Sequence, residues 1–272
     1  MTGATGGLSP HGKRWATGAA VGAPVFAVLL AGPWWAWFLL VSAGAVTGLW
    51  ELFRMILGGA ERPARGRLAL VPGVLIPAGA ALGGQWGLSA GLLVSLFLGF
   101  SFVLLREPRD PTSLTRLGLA ALGWLYVPWC LSHLLLFGPD GKAWVFFTLL
   151  VVMAGDTGAF YVGRRFGRRR LYERVSPGKT LEGALGGLAG SAAVGAVFSA
   201  FLLPWGFLAG ALAGLLVGAV GQVGDLVESM IKRQAGVKDS SGLLPGHGGL
   251  LDRLDSLLFA LPAAWVLSRW LG

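Results

Sequence analysis

A charged, glycine-rich stretch of this apolar sequence is KDSSGLLPGHGGLLDRLDS, residues 238–256. Only 13% of the 272 residues are charged, yet this run holds basic, acidic and imidazole side chains separated by glycines. Carboxylates without a Cys and His cluster favour hard cations, Mg²⁺ above all, and glycines let a backbone approach a ligand closely. The run therefore predicts a site for a metal ion and an anionic ligand. Its candidate residues are Lys238, Asp239, His247, Asp252, Arg253 and Asp255.

The segment immediately before this run extends the candidate site. A helix would present four of its polar residues on one face, because they are spaced i, i+3, i+4 and i+7. These residues are Asp225, Glu228, Ser229 and Lys232, and Arg233 follows them. The amphipathic end of a helix would give the same spacing. In combination with the glycine-rich run, the pattern indicates phosphoryl or nucleotidyl transfer that works by positioning and electrostatics.

A third acidic candidate lies upstream, in GDTGAFYVGRRFGRRR, residues 155–170. Asp156 falls about seven residues inside a predicted membrane span, which is roughly 10 Å deep. Ionisable groups at that depth are costly and usually functional. A hydrogen bond between helices would account for Asp156, but a metal or polar-substrate cavity fits its setting beside Thr157 and glycines better. The arginines between 164 and 170 are typical of a loop that touches anionic lipid.

The next segment, SPGKTLEG at residues 176–183, has the features of a phosphate site. Backbone amides at the start of a helix, together with a lysine and hydroxyl groups, suit phosphate oxygens. Thr180 has a competing interpretation as the N-cap of the helix that begins after it. The substrate-binding candidates are Ser176, Lys179, Thr180 and Glu182, joined by Ser229 from the later segment.

A membrane fold must position these polar segments. The hydrophobic fraction is 54% and the mean hydropathy is +0.68, and apolar residues form blocks of about 20, the length of a transmembrane helix. We predict an all-α integral membrane protein with about nine transmembrane helices. Residues 1–140 would carry the N-terminal helices and residues 141–272 the catalytic ones, within one continuous membrane domain. The predicted blocks are about 15–32, 34–53, 68–84, 86–105, 116–137, 143–163, 183–203, 205–227 and 256–271.

The basic residues indicate how these helices are oriented. With nine spans and the N-terminus inside, all of the 22 Lys and Arg residues except Lys142 and Arg269 fall in the inside segments. The positive-inside rule therefore favours a cytoplasmic N-terminus, an outside C-terminus and a candidate site on the cytoplasmic side. Orientation and attraction to anionic membrane lipid account for the net charge of +9, so nucleic acid is not an expected partner.

Two patterns predict contacts of the helices themselves. Small residues recur every four positions over 183–191 and again over 210–218, a spacing that lets helices approach closely in lipid. The repeats predict that these helices pack together or against neighbours, and a dimer face is the open alternative. Glu51 and Arg54, in WELFRMI, lie three positions apart on one helix face, which is typical of an ion pair at a membrane boundary.

The run SMIKRQAGVKDSSGLLPGHGGLLDRLD, residues 229–255, resembles the signature of the phosphatidate cytidylyltransferases, also called CDP-diacylglycerol synthases. That signature is S-x-x-K-R-x4-K-D, a spacer, then P/G-x-H-G-G-x-x-D-R-x-D, and every fixed position is filled. GDTGAFYVGRRFG and SPGKTLEGALGG are similar to another region of the family, so the resemblance runs from about residue 150 to the C-terminus. WELFR adds weaker similarity. Leu181 stands where the family more often has Trp, a difference that affects packing rather than chemistry.

The resemblance implies a reaction, cofactors and roles for particular residues. CTP and phosphatidic acid would give CDP-diacylglycerol and pyrophosphate, with Mg²⁺ and a second cation such as K⁺, in a nine-helix homodimer of the bacterial inner membrane. By similarity Asp225 and Asp252 bind the metal ions, and Asp156 is a further candidate from its own setting. The substrate phosphates are assigned by similarity to Ser176, Lys179, Ser229, Lys232, Arg233, Lys238 and Arg253; Asp239, His247 and Asp255 complete the candidate catalytic set.

Two other interpretations of the sequence stay open. The motif does not distinguish phosphatidic acid from an isoprenoid lipid phosphate or another lipid acceptor, because apolar span residues would hold the lipid chains. A transporter or channel would distribute ionisable residues through several spans and break helices at mid-membrane. The clustering of charge on one side favours the enzyme over the transporter.

Overall fold

Long apolar helices form most of the structure, a computed structural model that describes residues 10–57, 70–244, 246 and 248–271. A π-helical turn at Leu125–Trp129 joins α4 to α5, and a short 3-10 turn at Pro139–Gly141 precedes α6. The helices are α1 Pro10–Ala31, α2 Trp34–Ile56, α3 Pro72–Arg106, α4 Ser113–Trp124, α5 Cys130–Leu136, α6 Lys142–Phe166, α7 Leu181–Leu202, α8 Gly206–Gln234 and α9 Leu251–Leu271.

The described residues contain seven helical segments that are long and apolar enough to cross a bilayer. One of them is the continuous run 113–136, in which α4, the π-helical turn and α5 follow one another. The prediction of a helical, multi-pass membrane protein is confirmed. Within the described residues, the fold departs from the predicted all-α class in a small antiparallel hairpin between α6 and α7, formed by β1 (Arg170–Tyr172) and β2 (Ser176–Thr180).

Helix α3 combines two of the predicted blocks, 68–84 and 86–105. The helix breaks at Gly84, whose φ of 57° and ψ of −138° lie outside the helical region. A Cβ placed on Gly79 would lie 2.1 Å from the carbonyl oxygen of Gly87, so the two legs fold back on each other around the break. The first leg has only about 12 described residues, roughly 18 Å of helix, which is short for a hydrocarbon core of about 30 Å.

Buried apolar side chains form two clusters, and α9 contributes to both. The first cluster joins α2, α3, α4 and α5, and it includes Leu251, Leu258 and Leu261 of α9. The second joins α6, α7 and α8, and it includes Ala260 and Ala264 of α9. Because α9 packs against both groups of helices, it lies between the N-terminal and C-terminal parts of the chain.

The small-residue repeats bring α6, α7 and α8 into close contact. The repeat of α8 lies against α7: a Cβ on Gly214 would lie 2.4 Å from the carbonyl oxygen of Ser191. The repeat of α7 lies against α6, where a Cβ on Gly187 would lie 2.8 Å from the carbonyl oxygen of Gly155. The predicted packing of these two helices together and against a neighbour is confirmed. Their polar ends, the end of α6, the start of α7 and the end of α8, consequently lie side by side.

Candidate active site

A polar cavity of about 360 Å³ lies among Asp156 within α6, the second half of α8, the loop that follows α8 and the first turns of α9, and we call it the acidic cavity. Five of its eight lining residues carry carboxylates and two carry cations, so negative charge is in excess. Seven of the eight are residues that the sequence predicted. The lining residues are Asp156, Asp225, Lys232, Asp239, Asp252, Arg253, Asp255 and Ser256.

Close packing of α8 on α9 brings the carboxylates of the acidic cavity together. A Cβ on Gly224 would lie 2.6 Å from the carbonyl oxygen of Asp255, so only glycine lets the two helices approach this closely. Asp156, Asp225 and Asp255 interact electrostatically with one another. The guanidinium of Arg253 acts on Asp156 with the opposite sign. Mutual repulsion of this kind favours a cation or a cationic side chain at the centre.

Lys232 joins α8 to α9 through two carboxylates. Its Nζ donates to Glu228 Oε2 at 2.9 Å and to Asp252 Oδ1 at 2.7 Å. Glu228 is 0% exposed, and its second oxygen, Oε1, has no hydrogen-bond partner. A half-buried ammonium held between two carboxylates is strongly positioned, since removal of either partner would leave a charge without its partner.

Asp252 is fixed by the loop that precedes α9. Its Oδ2 accepts hydrogen bonds from the amide of Ser240 at 2.9 Å and from the amide of Gly249 at 2.7 Å. Gly248 has a φ of +80°, and a Cβ there would lie 2.7 Å from Asp252 Oδ2. The glycines in this part of the predicted motif are therefore needed for both the turn and the close approach of backbone to carboxylate.

Glu51 of α2 anchors the same loop from the N-terminal half of the chain. Its buried carboxylate accepts hydrogen bonds from Ser241 Oγ at 2.5 Å and from the amides of Leu250 and Leu251 at 3.0 and 2.7 Å. Ser240 Oγ lies 3.2 Å from Glu51 Oε2 and 2.9 Å from Asp252 Oδ2, so one hydroxyl links the two carboxylates. Glu51 thus caps the start of α9 and positions the residues around Asp252.

The prediction of an ion pair between Glu51 and Arg54 is wrong. Arg54 turns away, and its guanidinium lies over the ring of Trp50 at 5.5 Å from the centroid. The physical reason is that Glu51 faces several backbone and hydroxyl donors in a buried setting, which solvate a carboxylate better than one boundary arginine. Sequence reasoning missed this role, although a lone acidic residue at the end of an apolar span was the available signal.

A second cavity, of about 560 Å³, adjoins the first and shares Asp156 and Asp225 with it. We call it the basic cavity, because its remaining charged lining residues are cationic. Lys179 stands at the junction, where its Nζ lies 2.5 Å from Asp225 Oδ2. The cationic lining residues are Arg164, Arg168, Arg170 and Lys179.

Residues of the hairpin and of the first turn of α7 have structural roles beside the basic cavity. Thr180 caps α7, since its Oγ1 accepts from the amide of Gly183 at 3.1 Å, and it also lines the cavity. Glu182 accepts from the amides of Arg168 and Arg169, at 2.9 and 3.2 Å, and holds the chain that follows α6. Ser176 belongs to β2, and neither it nor Glu182 is among the lining residues of the two cavities within the described chain.

The remaining predicted residues lie around the cavities. Arg233 Nε donates to the carbonyl of Val175 at 3.3 Å and so ties α8 to the hairpin. Ser229 is buried on α8 and Lys238 is exposed, and neither is among the described residues that line the two cavities. His247 lies outside the described residues.

The donor chemistry of the acidic cavity suits a hard cation, although two of its five carboxylates, those of Asp225 and Asp252, are paired with lysines in this structure. Oxygen ligands without Cys or His are those preferred by Mg²⁺. Among the described residues, no group of three or more His, Cys, Asp or Glu side chains is placed to hold a metal ion by itself. The cavity therefore offers carboxylates for a cation whose remaining ligands would come from water or a phosphate.

The fold and the two cavities define a helical, multi-pass membrane protein with a charged site among α6, α8 and α9. A family model described as the cytidylyltransferase family matches residues 12–271, so the chain belongs to that family. The resemblance predicted from the motif at the end of α8 and the start of α9 is confirmed.

Several curated relatives match parts of this chain at 35–48% identity. The chain is 48% identical over 129 residues to a phosphatidate cytidylyltransferase of Synechocystis, and the aligned region covers 47% of this chain and 43% of the relative. It is 35% identical over 163 residues to the Bacillus subtilis phosphatidate cytidylyltransferase, covering 58% and 61%. An Escherichia coli protein called YnbB is 43% identical over 155 residues, covering 54% and 52%. The chain thus spans about half the length of these curated relatives.

Proposed function

We propose that this protein transfers CMP from CTP to phosphatidic acid and so forms CDP-diacylglycerol and pyrophosphate for phospholipid biosynthesis. The observation that carries the proposal is the acidic cavity, in which five carboxylates, Lys232 and Arg253 converge in a chain of the cytidylyltransferase family. Relatives named phosphatidate cytidylyltransferase supply the substrate class.

The proposed transfer needs no reactant besides CTP and the lipid phosphate. An oxygen of the lipid phosphate forms a bond to the α-phosphorus of CTP, while the bond from that phosphorus to the bridging oxygen breaks and its electron pair leaves with pyrophosphate. The lipid phosphate is already anionic, so no strong general base is needed. Lys232, Arg253 and Lys179 would orient the two anions and offset their repulsion, which is the main catalytic demand of such a transfer.

Asp225 and Asp252 are the proposed ligands of Mg²⁺, with Asp156 as a further candidate and K⁺ as the proposed second cation. The support is chemical: these carboxylates line one cavity with an excess of negative charge. A bound Mg²⁺ would neutralise charge on the phosphates. Lys179 and Lys232 now pair with the two aspartates, and we propose that their ammonium groups turn to substrate phosphates when a cation takes those carboxylates.

We propose nine membrane crossings, a cytoplasmic N-terminus and an outside C-terminus, in a homodimer of the bacterial inner membrane. The count includes α1 and both legs of α3, and the basic residues near the acidic cavity support its cytoplasmic placement. A membrane-impermeant thiol reagent should label a cysteine placed at position 140 in intact cells but one at position 165 only after lysis. The reverse pattern would overturn the orientation, and a monomeric mass by light scattering would overturn the dimer.

A separate experiment tests which lipid phosphate accepts CMP. Purified protein with labelled CTP and Mg²⁺ is offered phosphatidic acid in one reaction and polyprenyl phosphate in another, at equal mole fractions in detergent micelles. We expect labelled CDP-lipid from phosphatidic acid alone. Labelled product from the isoprenoid alone would replace the substrate class while keeping the reaction, and the absence of labelled lipid from both would remove the enzyme.

A further inference from the structure

The basic and acidic cavities differ in a way that separates two kinds of substrate. The acidic cavity is lined almost entirely by ionisable groups. The basic cavity adds apolar walls, Phe160, Leu171 and Leu226, to its arginines and Lys179. A ligand with one anionic end and an apolar body matches the second lining. The first lining, with its excess of carboxylates, would take the phosphate chain of a nucleotide only together with the cation proposed above.

The position of the basic cavity on α6 suits a ligand that enters from the bilayer. Arg164 lies eight positions after Asp156, which is roughly 12 Å along the helix axis. The cavity therefore extends from the basic end of α6 into the membrane span. Phe160, between these two levels, is 58% exposed, so this wall continues onto the lipid-facing surface of the helix.

Hydrogen bonds fix the wall that carries the arginines. The carboxylate of Glu182 accepts hydrogen bonds from the amides of Arg168 and Arg169. The amide of Leu181 donates a hydrogen bond to the carbonyl oxygen of Arg169 at 2.9 Å. Arg170 pairs with Thr180 in the hairpin. The backbone that presents the cavity arginines is thus anchored on the first turn of α7, as a preformed binding wall requires.

We propose that the basic cavity binds the lipid substrate as a phosphate monoester, with Arg164, Arg168 and Arg170 on the phosphate and the acyl chains leaving past Phe160. Arginine suits this task because its planar fork bonds two phosphate oxygens at once. The Lys179–Asp225 ion pair then marks the junction at which the lipid phosphate meets the nucleotide bound in the acidic cavity. This inference rests on the proposed function.

Two neighbouring arginines outside the basic cavity provide a control for the effect of positive charge alone. Arg165 and Arg169 are sequence neighbours of the cavity arginines and are equally exposed, but they are not among the described residues that line the basic cavity. The double variants R168Q/R170Q and R165Q/R169Q remove the same charge from the same segment. Non-specific attraction to anionic lipid would weaken equally in both, because it depends on net charge near the surface.

Binding without nucleotide tests the assignment independently of turnover. The purified full-length protein is titrated with dioctanoyl phosphatidic acid, with dioctanoyl phosphatidylcholine and glycerol 3-phosphate as comparison ligands. R168Q/R170Q should weaken phosphatidic acid binding about tenfold and R165Q/R169Q less than about twofold, since each lost charged hydrogen bond costs a substantial fraction of the affinity. The two comparison ligands should bind at least about tenfold more weakly than phosphatidic acid to the wild type. Equal losses in the two double variants, or equal binding of glycerol 3-phosphate, would overturn the site.

Steady-state kinetics then separates this inference from the proposed function. In R168Q/R170Q the KM for phosphatidic acid should rise about tenfold while the KM for CTP changes less than about twofold. A rise in the KM for CTP instead would place the nucleotide in the basic cavity and overturn the assignment. If the wild type forms no CDP-lipid but the difference in lipid binding persists, the proposed function fails and the lipid-phosphate site stands.

Discussion

Replacing Asp252 with Asn is expected to abolish CDP-lipid formation while leaving the amount of protein in the membrane unchanged. Lys232, Ser240 and Gly249 hold the carboxylate of Asp252 in the acidic cavity. An amide of the same shape lacks the negative charge that pairs with the ammonium of Lys232 and that would bind a cation. The expected fall in kcat is at least about a hundredfold. Asp225→Asn should have a comparable effect. The initial rate of CTP-dependent product formation in membranes, divided by the amount of protein, measures both.

Asp140→Asn is the matched control for these variants. Asp140 is exposed in the 3-10 turn before α6, at the opposite end of that helix from the acidic cavity, and its loss removes the same charge. It should retain the wild-type rate. In Asp225→Asn, any residual rate should keep rising with Mg²⁺ beyond the concentration that saturates the wild type. Near-normal activity of either cavity variant at ordinary Mg²⁺ would contradict the metal assignment.

Replacing Glu51 with Ala is expected to lower both stability and activity, although Glu51 lies far from the motif in sequence. The change leaves the hydroxyl of Ser241 and the amides of Leu250 and Leu251 without their buried acceptor. Each unsatisfied donor costs about 1–3 kcal/mol, so the unfolding temperature in detergent should fall clearly. Because the same loop fixes Asp252, the rate should fall at least about tenfold. Glu51→Gln, which keeps the volume and one acceptor oxygen, should lie between the wild type and Glu51→Ala.

Arg54→Gln distinguishes an anchoring role of Glu51 from an ion pair. The two residues are one helical turn apart, and Arg54 lies on the ring of Trp50 instead of on the carboxylate. Arg54→Gln should therefore leave the unfolding temperature and the rate close to those of the wild type. Equal losses in Arg54→Gln and Glu51→Gln would show that the two charges act as a pair and that the anchoring role is wrong.

Local patterns in the sequence predicted the membrane helices because the bilayer sets their length. The predicted boundary between the blocks 68–84 and 86–105 falls at the helix break, since Gly84 permits a backbone that other residues avoid. The sequence did not predict that the first leg of α3 would be so short within the described residues. It also missed the hairpin between α6 and α7, because strands of three and five residues are too short to show alternating hydrophobicity.

The content of the acidic cavity was predictable because its residues lie in a few segments near helix ends. Helical spacing places Asp225 and Lys232 on one face, and the loop returns the chain so that α9 begins beside them. The role of Glu51 was not predictable in the same way, since it depends on a contact across about 200 residues of sequence. The pairing of Lys179 with Asp225 and the division of the charged residues between two cavities likewise arise from tertiary packing.

The position of a label in CTP distinguishes transfer of CMP to a lipid phosphate from other reactions of the same substrates. Purified protein receives phosphatidic acid, Mg²⁺ and CTP that is labelled at either the α- or the γ-phosphorus, and the products are divided by solvent extraction. We expect the α-label to enter the lipid phase as CDP-diacylglycerol and the γ-label to leave in aqueous pyrophosphate. Recovery of the γ-label in the lipid, which is the result of a kinase, or of no label in the lipid, would contradict this transfer.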